Sequence, residues 1–72
     1  MSTALNFDNF QAFRNRARLF VQRGLIPEAI HDLTMSLHFC PKQPELFAER
    51  GKLHLQLEQY ENAANDFEAA LG

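Results

Sequence analysis

Seventy-two residues, 46% hydrophobic and 22% charged, make a chain too apolar for a disordered tail and long enough for one domain at most. A net charge of −2 leaves no Lys/Arg excess for a phosphate backbone or an anionic lipid surface, so neither nucleic acid nor membrane is expected as a partner. The single cysteine, Cys40, forbids an internal disulfide and fits a cytoplasmic-type environment, and the start MSTALNFDNF lacks the basic and apolar stretches of an export signal.

In chain order, residues 1–9 are expected to form an N-terminal arm. Phe13, Ala17 and Phe20 then recur at helical spacing, which predicts a helix over about 9–23, broken at Gly24. Pro27 followed by Glu28 suits a first helical turn, where a missing N–H costs nothing and negative charge meets the positive dipole end. Ala29, Leu33 and Leu37 carry this second helix over about 27–40. Pro41 and Pro44 bracket a break, a third helix runs over about 44–57, a turn falls near Glu58 to Tyr60, and a fourth helix covers about 61–71.

The two halves repeat. A shift of 34 residues matches Phe13 with Phe47, Arg16 with Arg50, Leu19 with Leu53, Gln22 with Gln56, Ala29 with Ala63, Asp32 with Asp66 and Leu37 with Leu71. Ala17 faces Gly51 and Leu33 faces Phe67 in the same alignment, conserving smallness or bulk. A closed bundle needs no equivalence between its halves, so the regular offset favours a solenoid. The expected core is Phe13, Ala17, Phe20, Ala29, Leu33, Phe47, Gly51, Ala63 and Phe67.

On these residues the chain resembles the tetratricopeptide repeat family. Phe47, Gly51, Tyr60, Ala63, Phe67 and Ala70 follow the family's order of large, small and aromatic positions, and Phe13, Ala17, Phe20, Gly24, Ala29, Leu33 and Pro41 do so more loosely, with Ile26 and Ser36 as departures. The resemblance implies an all-α fold, an α-solenoid of two helix-turn-helix hairpins with about four helices. Repeat 1 would span residues 10–43 and repeat 2 residues 44–72, the latter without a capping helix.

Little points to catalysis, a metal or a cofactor. His38 and Cys40 lie two apart and point to different faces of a helix, while His31 and His38 have no thiol or acidic partner at four-residue spacing between them. Ser36 and Thr34 lie near these histidines but no exposed elbow surrounds them, and Ser36 reads as a small packing residue. Glu58, Glu61, Asp66 and Glu68 read as a solvated acidic surface. No enzymatic activity is expected.

In the family the first helix of each unit lines a concave groove that holds a protein or peptide partner. The corresponding residues here are Arg14, Asn15, Arg18, Val21 and Gln22, then Glu49, Lys52 and Leu55. Some members clamp the terminal carboxylates of heat-shock chaperones, and FRNRARLF resembles part of such a clamp, with Asn15 at its asparagine. Glu45 and Glu49 stand where the clamp needs bases, so a clamp of that type is not expected. The alternative is a structural unit that self-assembles through exposed ends. Ala64, Phe67 and Leu71 would form the contact, giving a homo-oligomer, in its simplest form a two-fold dimer.

Overall fold

The computed structural model describes residues 3–72, with side chains from Leu5 onward. Its helices are α1 Thr3–Gln22, α2 Ile26–Phe39, α3 Pro44–Gln56 and α4 Tyr60–Leu71, and among the described residues there is no strand. Two compact units result, one ending at Lys42 and built from the α1/α2 hairpin, the other Gln43–Gly72 and built from the α3/α4 hairpin.

The first helix begins at Thr3, not near residue 9. The reason lies in the repeat itself: Pro44 fixes the start of α3, but its counterpart 34 residues earlier is Phe10, and neither Gly nor Pro interrupts the chain before Gly24. The added turns are held by side chains. The Phe7 ring stacks on Phe10 at 5.8 Å, and Cys40 Sγ lies 4.0 Å from the Asn6 carbonyl oxygen.

Both hairpins turn the same way. Gly24 holds φ +76° while its N–H donates to the Val21 carbonyl at 3.0 Å and the Leu25 N–H donates to the Phe20 carbonyl at 2.9 Å. In the second hairpin Glu58 holds φ +60°, its N–H donates to Leu55 at 2.9 Å, and the Gln59 N–H donates to His54 at 2.9 Å. These paired bonds are a Schellman closure, which satisfies carbonyls that the helix end leaves open and demands a left-handed residue at its centre. Pro27 stands near the start of α2 and Pro44 at the start of α3, where a missing N–H is harmless.

Small residues take the closest positions in the core. Ala17, Ala29, Gly51 and Ala63 are buried, together with Phe10, Leu33, Leu37, Leu46 and Leu53. The aromatic rings expected beside them, Phe13, Phe20, Phe47 and Phe67, are only half-buried. Three of them carry an arginine on an open face: Arg16 lies 5.7 Å from the Phe13 centroid and 5.6 Å from that of Phe20, and Arg50 lies 5.5 Å from Phe47. Phe13 also stacks on Phe39 at 5.9 Å. Phe67 packs against Gly51, where an added Cβ would stand 3.0 Å from its ring. The matched pair Leu19 and Leu53 diverges: Leu53 is buried, Leu19 is 53% exposed.

Candidate partner-binding faces

The polar interior decides which charges are available for binding. Asp32 and Asp66 are buried, and each accepts a forked pair of hydrogen bonds from an arginine sixteen residues earlier. Arg16 donates through Nε at 2.6 Å and Nη2 at 3.0 Å, and Arg50 through Nε at 2.8 Å and Nη2 at 2.7 Å. A buried carboxylate persists only when paired and hydrogen-bonded in this way. Asp66 is thus not part of a solvated acidic surface; Glu58, Glu61 and Glu68 are exposed as that reading requires. The hydrogen bond to Asp32, and then its charge, raise the Arg16 guanidinium above its ordinary value.

His54 joins the second pair, with Nδ1 2.7 Å from Gln59 Oε1 and Nε2 3.5 Å from Asp66 Oδ2. Its counterpart in the first unit is Phe20, so the 34-residue comparison pointed to an apolar position and missed this contact. Ser36 is fully buried and its Oγ donates to the Phe10 carbonyl at 2.7 Å, fastening α2 to α1. Among the described residues no group of three or more His, Cys, Asp or Glu could hold a metal ion, and no helix is long and apolar enough to cross a membrane.

The first helix of each unit has an outward face. On α1, Asn15, Arg18, Val21 and Gln22 are exposed, with Val21 at 40%. Arg14 differs: it is half-buried, its guanidinium lies 5.2 Å from the Phe10 centroid, and its Nε is buried without a hydrogen-bond partner. On α3, Lys52 and Leu55 are exposed, Leu55 at 44%, and Glu49 is half-buried. Arg18 and Val21 recur 34 residues later as Lys52 and Leu55, so each unit displays a cation followed three residues on by an exposed aliphatic side chain.

Charge is divided unevenly between the units. Residues 1–42 hold five Lys/Arg against three Asp/Glu, a net of +2, and residues 43–72 hold two against six, a net of −4. An open depression of about 310 Å³ on the first unit is lined by Arg16, Phe20, Pro27, Glu28, His31 and Asp32. On α4, Ala64 and Leu71 are exposed, Leu71 at 90%, and Phe67 is half-buried.

Two curated proteins resemble the chain. A DnaJ homolog subfamily C member 7 homolog of Dictyostelium discoideum is 34% identical over 62 residues, which is 86% of this chain and 12% of that protein. The human tetratricopeptide repeat protein 13 is 34% identical over 64 residues, 89% of this chain and 7% of that protein. The chain therefore spans a small part of either relative. No family model and no solved structure matches it. With the two 34-residue hairpins, these similarities support a tetratricopeptide-type repeat.

Proposed function

We propose that the chain is a non-enzymatic protein-interaction module that binds a peptide or helix of a partner through the outward faces of its first helices. The contact residues are Arg14, Asn15, Arg18, Val21 and Gln22 on α1, and Glu49, Lys52 and Leu55 on α3. One observation carries this reading: the cation and exposed aliphatic residue at Arg18/Val21 and again at Lys52/Leu55. An exposed Val or Leu adds nothing to a helical hairpin's core, so its recurrence beside a cation argues for contact with something outside. The similarity to a tetratricopeptide repeat protein points the same way.

Peptides selected from a random displayed library against the immobilised chain provide the test. They should shift the amide resonances of Arg18, Val21, Lys52 and Leu55, and Val21→Asp with Leu55→Asp should weaken binding at least ten-fold at unchanged helicity. Peptides that bind the double variant as well as the wild type would move the site elsewhere.

A second reading has its own support. Leu71 is 90% exposed and Ala64 is exposed on the same helix, with Phe67 half-buried beside them. An apolar strip of this kind favours self-association of the chain through α4. A sedimentation series over protein concentration tests it directly.

A further inference from the structure

The self-association reading names one surface, α4, and leaves open what it touches. We infer that α4 of one copy docks on the basic face of α1 and the following turn of another copy, head to tail, and the inference rests on that reading.

Charge complementarity and spacing carry the argument. Arg16 and Arg23 lie seven residues apart, both exposed, with Phe20 between them and Pro27 just beyond. Glu61 and Glu68 also lie seven apart, both exposed, with Ala64 between them and Leu71 just beyond. Seven residues are about two helical turns, so both charge pairs span the same ~10 Å. A small Ala64 opposite the ring of Phe20 lets the helices approach closely.

The sides on which the charges fall fix the direction. At about 100° per residue, the arginines lie to one hand of Phe20 and the glutamates to the opposite hand of Ala64. Opposite charges then meet when the two helices run parallel, with Glu61 beside Arg16 and Glu68 beside Arg23. Arg16 keeps its fork to Asp32 and still has N–H groups to offer, since its side chain is 57% exposed. The net charges of the two units, +2 and −4, pull in the same sense. Each copy thus offers one face of either kind, and such a heterologous contact propagates from copy to copy.

The test blocks one face at a time. Arg23→Glu removes the basic face and spares α4; Glu61→Lys with Glu68→Lys does the reverse. Neither variant touches the buried pairs. In sedimentation at low salt, wild-type mass should rise past the dimer with concentration and fall at high salt, while each variant alone should associate at least ten-fold more weakly. Mixed together, the two variants should form a one-to-one pair and nothing larger. Variants that assemble like the wild type, or a mixture that never pairs, would overturn the head-to-tail contact while leaving self-association in place. A wild-type chain that stays monomeric at millimolar concentration overturns both, and leaves the basic face for an acidic helix of another protein.

Discussion

Arg50 closes a two-pronged hydrogen bond on Asp66, sixteen residues away, and Arg16 does the same to Asp32. The repetition shows that the pair belongs to the hairpin's architecture, joining the first helix to the second. Removing only Arg50 takes the fork from a buried carboxylate and leaves it beside His54 Nε2 at 3.5 Å, whereas replacing both partners with apolar residues removes the buried charge as well. Arg50→Met should therefore cost about 3 kcal/mol, and Arg50→Met with Asp66→Leu about 1 kcal/mol or less. Urea unfolding of the two variants checks the difference; a double variant that loses as much as Arg50→Met would mean that removing the carboxylate relieves nothing.

Gly51 and Phe67 in the second unit occupy the places of Ala17 and Leu33 in the first. A methyl group at residue 51 would stand 3.0 Å from the Phe67 ring, which would have to give by a few tenths of an ångström. Gly51→Ala and Phe67→Leu together should be more stable than the two single changes predict by about 1 kcal/mol, because the smaller leucine relieves the crowding that alanine meets against Phe67. A double-mutant cycle in denaturant measures it.

Glu58 sits in a left-handed conformation at φ +60°, where the first hairpin uses Gly24. Glu58→Gly should raise stability by about 0.5–1 kcal/mol, and Gly24→Ala should lower it by a similar amount. Thermal unfolding of both variants gives the signs directly.

Ser36 Oγ donates to the Phe10 carbonyl, and the corresponding pair in the second unit, Ala70 and Pro44, has no hydroxyl to offer. Ser36→Ala should cost about 1 kcal/mol, since the loss is one neutral buried hydrogen bond without a stranded charge. A change in denaturation midpoint at constant slope is the expected signature.

Much of this fold is legible in the spacing of a few residues. Gly24, Pro27, Pro41 and Pro44 punctuate the chain strongly enough to give four helices, and the repeated small residues Ala17, Ala29, Gly51 and Ala63 are all buried, as their spacing predicts. The aromatics misled, since their size suggests full burial when their faces are covered by Arg16 and Arg50 instead. Asp66 misled for the opposite reason: a charged residue on a short helix reads as solvated until its partner is known. The clue was present, as the Arg/Asp match recurs in both halves at the same separation. The start of α1 escaped because nothing in the first unit does what Pro44 does in the second. For the outward faces, the family resemblance named Arg18, Val21, Lys52 and Leu55, but only the folded structure could reveal that Arg14 is half-buried over Phe10.

The size matching at Gly51 with Phe67 also limits how such a chain can grow or recombine. Transplanting α1 into the place of α3 would bring an alanine methyl against Phe67, and the reverse exchange would put a glycine where the first unit has the buried Ala17. Each helix is fitted to the one that follows it across the turn. The inheritable piece is accordingly the whole 34-residue hairpin, copied or deleted as a block with its own volume balance intact, while a crossover inside a hairpin would be penalised at its first generation.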